Sequence, residues 1–253
     1  TGGAEALSFA VEASLLVTLD VSQVANPADT EALLAPVTQI TAQLPMAVGD
    51  QFAAGQNTLT TAQAVQVINF TAAGVGDRAR RGNVEAVWAG VAAAVGSGLA
   101  TGQPVDATST TVAGTPAVAS VGELVSKLFA GPVAVRGISA DPIDAADNPA
   151  AKDVEKLDRA DGILVLASVA PRSMSNAAPG LVFRVEAPPG YEARVKIAIG
   201  VLLAYGSNVQ SVYLNGPVQA KTVFLVGDQR VRKQAEENDR GFGDTQFEDA
   251  PAP

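Results

Sequence analysis

The chain contains neither cysteine nor histidine, so two of the most reactive side chains in proteins are missing. Without cysteine there are no disulfides, thiolate nucleophiles or iron–sulfur clusters. Without histidine there is no imidazole base, no Ser–His–Asp triad and no histidine metal ligand. Aromatic residues are also few, at 5% of 253 residues, which is unfavourable for a sugar-binding site. We therefore expect no cofactor.

Positive charge is missing from the first third of the chain. Between Thr1 and Asp77 there are seven acidic residues and no Lys or Arg, and all 17 basic residues follow. The net charge is −9. Nucleic-acid binding depends on Lys and Arg that neutralise phosphates, so we expect no sequence-specific nucleic-acid partner. The acidic third is interpreted as a solvated surface, with docking on a basic partner as the alternative.

Long apolar runs are absent as well. The most membrane-like stretch, residues 84–100, consists mostly of Ala and Gly and includes Glu85, whereas a spanning helix needs about 20 strongly apolar residues. The N-terminus lacks the basic and apolar regions of a signal peptide. We expect a soluble protein with no membrane partner. Thr1 is consistent with removal of an initiator Met or with cleavage of a precursor.

Near the start of the chain, apolar residues recur at every second position. This period predicts a long N-terminal β-strand with one buried face, or else two strands joined end to end through a bend. The alternating residues are Leu7, Phe9, Val11, Ala13, Leu15, Val17, Leu19 and Val21.

Helices are predicted mainly in residues 27–161. Asn26-Pro27 has the form of an N-cap followed by Pro at the first helical position. Asn83 is predicted to cap a second helix, in which Gly90, Ala94 and Gly98 recur every four residues and allow another backbone to approach closely. A further helix is predicted to begin at Asn148-Pro149 and to end at Gly162.

Residues 162–227 are rich in β-branched and apolar residues, which predicts an antiparallel sheet. Pro188-Pro189-Gly190 is predicted to be the turn of a hairpin within it. The five predicted strands are Ile163–Val169, Leu181–Ala187, Tyr191–Ala204, Val209–Leu214 and Thr222–Val226. The predicted fold class is α+β, with residues 1–227 as a single body and a possible sub-boundary near 102–119.

The last segment, residues 228–253, is predicted to be an extended acidic arm. Its charged composition buries too little apolar area to offset the entropy of ordering. Phe242 and Phe247 lie five residues apart in this arm, and we expect them to anchor it in pockets of a neighbouring copy. Packing of the arm on its own domain is the alternative.

Two further groups of charged residues are candidates for a site. Asp141, Asp144 and Asp147 recur every three residues and are weak candidates for a cation site, since hard cations take oxygen ligands. The alternative is that they are solvated loop carboxylates. The second group, Arg78, Arg80 and Arg81, is a candidate assembly contact with an acidic neighbour, or else a solvated turn.

These features favour a non-enzymatic structural subunit of a large repeating assembly, most of all a virus or phage capsid (coat) protein located in the virion. The expected partners are other copies of the chain and other assembly proteins, and no small-molecule substrate is expected. Two alternatives remain: a secreted or surface β-rich binding or adhesion module, and a hydrolase that depends on paired carboxylates.

Overall fold

The structure is a computed structural model, and it confirms the α+β class. It describes residues 3–19, 22–72, 75–96, 121–131, 133, 135–143, 146, 155–176, 178–237 and 239–250. Within these ranges there are eight α-helices and four two-stranded sheets.

The chain divides into two compact units. The central unit comprises Asp20–Gly137 and Pro142–Val154, and the terminal unit comprises Thr1–Leu19, Ile138–Asp141 and Glu155–Pro253. The helices are α1 Gly3–Leu15, α2 Pro27–Leu34, α3 Thr61–Asn69, α4 Asp77–Gly96, α5 Val121–Phe129, α6 Arg159–Val169, α7 Glu192–Ala204 and α8 Arg232–Glu237. The strands are β1 Ile40–Leu44, β2 Gly55–Leu59, β3 Ala140–Pro142, β4 Glu155–Leu157, β5 Val182–Glu186, β6 Asn208–Tyr213, β7 Thr222–Val226 and β8 Thr245–Asp249.

The central unit is built on the antiparallel pair β1–β2, in which Ile40 is opposite Leu59. Alternate residues of β1 are buried, as expected for a strand with one face on a core. The predicted cap at Asn26 is confirmed, because its side chain accepts a hydrogen bond from Asp29 N at 2.9 Å. The buried core residues of this unit are Leu34, Val37, Ile40, Ala42, Leu44, Val48, Phe52, Leu59, Ala64, Val65, Val67, Val87, Val91 and Val95.

Helix α4 begins at Asp77, seven residues before the predicted start at Val84, so Asn83 lies inside it and is not its cap. Asn83 is buried, and its Oδ1 accepts a hydrogen bond from Met46 N at 3.2 Å, which ties α4 to the residues after β1. The predicted close approach is confirmed at Gly90, which lies against the backbone of β1. Gly98 lies outside the described residues.

The predicted long N-terminal strand is wrong, because residues 3–15 form helix α1. The stretch is rich in Ala, which has the highest helix propensity, and this local preference outweighs the alternating pattern. The helix ends where Leu16 adopts a positive φ of 56°. Val17 then forms an isolated antiparallel bridge with Met174.

The predicted antiparallel sheet in 162–227 is also wrong. Residues 159–169 and 192–204 are the helices α6 and α7, with buried residues such as Val195, Ile199 and Leu202 at helical spacing. β5 therefore pairs with β6 in parallel, through the crossover helix α7, and 188–190 is not a hairpin turn. The β-branched composition suggested strands, but the helical spacing of the buried residues was the better signal.

Of the helix predicted from Asn148 to Gly162, only residues 159–162 are helical among those described; they are the first turn of α6, so Gly162 does not end a helix. Residues 147–154 lie outside the described residues, Glu155–Leu157 is the strand β4, and Asp158 caps the new helix α6. Helices therefore occur on both sides of the predicted range 27–161.

The segment after residue 227 is not an extended arm. It contains short 3₁₀ turns at 229–231 and 239–241 with α8 between them, and then β8, which pairs in parallel with β7. Pairing with β7 satisfies the backbone groups along one edge of β8, and Phe242 and Phe247 pack on Phe224, so this charged segment is held by both kinds of contact.

Candidate interaction surface

Helix α1 has no buried residue, although most of its residues are apolar. Leu7 and Phe9 are 61% and 72% exposed. Large exposed side chains of this kind are informative when they form a continuous patch. The outward side of α1 is such a patch; we define the α1 face as Ala6, Leu7, Phe9, Ala10 and Ala13, and the exposed Glu5 lies at its edge, one turn before Phe9.

The opposite side of α1 lies on the terminal unit. Ser8, Val11, Glu12 and Leu15 are partly buried and follow the i, i+3, i+4, i+7 spacing of one helix face. Leu15 packs against the core cluster of the unit, and Glu12 Oε1 accepts a hydrogen bond from Leu19 N at 2.8 Å. These contacts fix which side of α1 is left exposed.

Helix α5 carries a second, smaller exposed apolar pair. Leu124 and Leu128 lie one turn apart and are both exposed, whereas Phe129 packs on the core of the central unit. Helices with anchors at this spacing are a common way of docking into apolar grooves. The pair is too small to define a surface by itself.

The most chemically distinctive cluster of the terminal unit surrounds Lys196. Its Nζ lies 2.7 Å from Asp158 Oδ2, at the N-terminus of α6. This hydrogen bond holds the pKa of Asp158 below its ordinary value, although desolvation opposes it. The same bond raises the pKa of Lys196, and the charges of Asp158, Asp161 and Asp141 add to the effect.

Asp161, which is buried, is held by Ser139. The Ser139 backbone N and Oγ both donate to Asp161 Oδ2, each at 2.8 Å. These bonds join the residues before β3 to the first turn of α6. A carboxyl group that acts as an acid catalyst needs a raised pKa, whereas the pKa of Asp158 is lowered. The Asp158–Lys196 pair is therefore better suited to joining α6 to α7 than to acid catalysis.

The predicted cation site is only partly described. Asp141 lies on β3, whereas Asp144 and Asp147 lie outside the described residues. Among the residues that are described, no group of three or more His, Cys, Asp or Glu is arranged to hold a metal ion.

The predicted arginine cluster forms part of the first two turns of α4 rather than a loop. Arg81 Nε donates to Glu85 Oε1 at 3.0 Å, one turn further along the helix. Arg80 lies on the same helix, and the side chain of Arg78 lies outside the described part of the chain.

Both predicted anchors of the C-terminal segment contact Phe224 on β7 of the same chain. The Phe242 ring is edge-on to Phe224 with centroids 5.3 Å apart, and the Phe247 ring is stacked on it at 4.9 Å. Phe242 also packs against the core of the terminal unit. This geometry corresponds to the alternative of packing on the segment's own domain.

Comparisons of the chain with protein-family models, with curated proteins and with solved structures give no match. Among the described helices, none combines the length and apolarity that a membrane span needs. Function must therefore be argued from the surface itself. Sequence reasoning missed the α1 face because it assigned these residues to a strand, although their high Ala content was a helix signal.

Proposed function

We propose that the protein is a non-enzymatic structural subunit of a repeating assembly, in which copies associate through the α1 face. The observation that carries this proposal is the exposure of Leu7 and Phe9, with the three small residues Ala6, Ala10 and Ala13 beside them, on a helix with no buried residue. A helix of 13 residues is marginal in water, and apolar helices are usually stabilised by packing.

A second copy of the chain is the occupant that the α1 face favours. Ala6, Ala10 and Ala13 present small side chains along the middle of the face, which lets another helix approach closely. Glu12 lies on the opposite, partly buried side of α1, where its carboxylate accepts the bond from Leu19 N, whereas Glu5 is exposed at the N-terminal edge of the face. We therefore propose an antiparallel pair of α1 helices, in which the two Glu5 side chains lie at opposite ends of the contact.

A coat or shell, such as a virus or phage capsid, is the form of assembly that we propose. The composition supports it, because the chain is 47% hydrophobic and lacks the Cys and His on which much enzyme chemistry depends. The proposed role is mechanical. Copies of the subunit lie side by side, and their α1 faces are buried between them.

The test is the particle mass of the full-length chain by light scattering, combined with negative-stain electron microscopy. We expect a species of many copies that forms closed or tubular particles. Phe9→Glu places a charge in the α1 face and should weaken the association between copies. We expect the dissociation constant of the assembly to rise at least tenfold.

Val24→Glu is the matched control, because Val24 is also exposed and apolar but lies outside α1. It adds the same charge and should leave the assembly intact. A wild-type chain that stays at 25.6 kDa at all concentrations would contradict the proposal. An equal effect of both variants would show that the α1 face is not the contact.

A further inference from the structure

The terminal unit contains a cavity of about 160 Å³. It lies among the first residues of α6, the C-terminal end of α7, the start of β6 and the residues after the turn at 171–173. An engineered apolar cavity of about 150 Å³ is known to hold benzene. Unlike that enclosed cavity, this one is partly open to solvent and partly polar, and its volume is comparable with that of an organic group of about six carbon atoms.

The cavity has an apolar part and a cationic part. Ile163, Met174 and Leu203 supply apolar walls, and Met adapts well to irregular ligands. Arg159, the first residue of α6, is exposed to solvent at the mouth of the cavity and makes no ion pair within the described part of the chain. Its neighbour Asp158 is already paired with Lys196 at 2.7 Å.

The polar wall also includes Ser175. Its backbone N donates to Leu16 O at 2.8 Å, whereas its hydroxyl has no hydrogen-bond partner within the described residues. An arginine and a hydroxyl on the wall of one cavity supply the kind of donors that a carboxylate accepts.

Backbone hydrogen bonds hold one wall of the cavity in place. Leu16, which lines the cavity, is the residue that ends α1; its φ is 56°, and the bond from Val17 N to Glu12 O at 3.2 Å closes the helix end. Bonds from Ser175 N to Leu16 O at 2.8 Å and from Thr18 N to Ser173 O at 2.7 Å then tie this helix end to the residues that follow the turn at 171–173. This wall is therefore formed by the fold itself.

We propose that this cavity binds a small organic monocarboxylate. The carboxylate bonds to Arg159 and the Ser175 hydroxyl, and the apolar body lies against Met174 and Leu203. A single guanidinium beside Asp158 favours a monoanion over a dianion such as phosphate, because a second negative charge would have no partner. No sequence motif pointed to this site, because its lining residues come from four separate segments of the chain.

Titration calorimetry of the full chain with benzoate tests the proposal, and benzamide provides the neutral ligand of the same shape. We expect benzoate to bind at least tenfold more tightly than benzamide. Arg159→Gln should abolish that difference in affinity. Ala178→Leu, which fills the cavity, should weaken the binding of both benzoate and benzamide.

Arg194→Gln is the matched control, because Arg194 lies over the Tyr191 ring, with its Cζ 5.0 Å from the ring centre, and does not line the cavity. It removes one positive charge from the same unit and should leave benzoate binding unchanged. Equal binding of benzoate and benzamide, or equal benzoate binding by the wild type and the Arg159→Gln variant, would overturn the proposal. No heat with benzoate at millimolar concentration would overturn it as well.

Discussion

Gly90 lies so close to Thr41 that a Cβ at position 90 would be 2.5 Å from the carbonyl oxygen of Thr41. The same Cβ would be 2.9 Å from the Cγ2 of Ile40. Glycine thus lets α4 lie directly on β1, and this contact brings Val87 and Val91 into the core of the central unit. Neither the strand backbone nor the helix can shift without disturbing that core.

Gly90→Ala should destabilise the protein by about 1–3 kcal/mol, because the added methyl group forces α4 away from β1. Gly200→Ala is the matched control, since Gly200 is also helical but its Cβ would be 3.9 Å from that of Ala160. It should stabilise the chain by up to about 1 kcal/mol through its higher helix propensity. Urea denaturation of both variants measures the effect, and an equal loss in both would contradict the packing argument.

Lys196→Gln should reduce stability by about 0.5–1 kcal/mol near neutral pH, because it removes the partner of Asp158. The pKa of Asp158 is lowered in the folded state, so its contribution is present above about pH 4 and lost as the pH falls through the folded value. The raised pKa of Lys196 gives a contribution that is present below about pH 10 and lost as the pH rises through the folded value.

The difference in unfolding free energy between the wild type and Lys196→Gln should therefore be largest at neutral pH and shrink in strong acid and strong base. Lys221→Gln is the control, because the Lys221–Asp244 pair at 2.9 Å has more exposed side chains. Its effect should be small at every pH. A Lys196→Gln effect that is independent of pH would exclude the ion pair as its cause.

Asp228 should titrate with a pKa of about 2, because the Arg230 side chain and backbone both donate to its carboxylate. Arg230→Gln should raise this pKa toward the ordinary value of about 3.9. Carbon-detected NMR titration of the carboxyl group measures it. Arg232→Gln, which removes a guanidinium bonded to Asp249 instead, should leave the pKa of Asp228 near 2.

Phe247→Ala should destabilise the single chain by about 1–3 kcal/mol, because the ring is stacked on Phe224 and partly buried. Phe9→Ala removes a ring that is mostly exposed and should change the stability of the separated chain little. Both are measured by denaturation at a concentration at which copies are apart. If Phe247→Ala alters assembly but not chain stability, the ring anchors a neighbouring copy instead.

Local signals in the sequence predicted the short-range features well. Asn26-Pro27 caps α2 as predicted, because a cap depends on neighbouring residues alone. Gly90 lies against a backbone as its spacing on α4 indicated, although the sequence could not identify β1 as that backbone. The spacing describes one helix face, whereas the partner strand is more than forty residues away along the chain.

Most of the errors in the predicted fold arose because helices were assigned as strands. The α1 residues alternate like a strand, and α7 has the β-branched content of one, but both are helices in the chain. The direction of the β5–β6 pair depends on whether the intervening residues form a turn or a helix, so one wrong assignment also changed the sheet from parallel to antiparallel. Phe242 and Phe247 were predicted to anchor the segment in a neighbouring copy, and the sequence did not indicate that both rings contact Phe224 of the same chain.

The amino-acid sequence by itself determined the mixed α+β class, the acidic first third and the absence of Cys and His chemistry, because these follow from composition and local propensity. Only the tertiary structure decided that Arg159 and Ser175 line one cavity and that Leu7 and Phe9 stay exposed. Those relationships join residues distant in sequence, and they depend on which apolar faces bury each other when the chain folds.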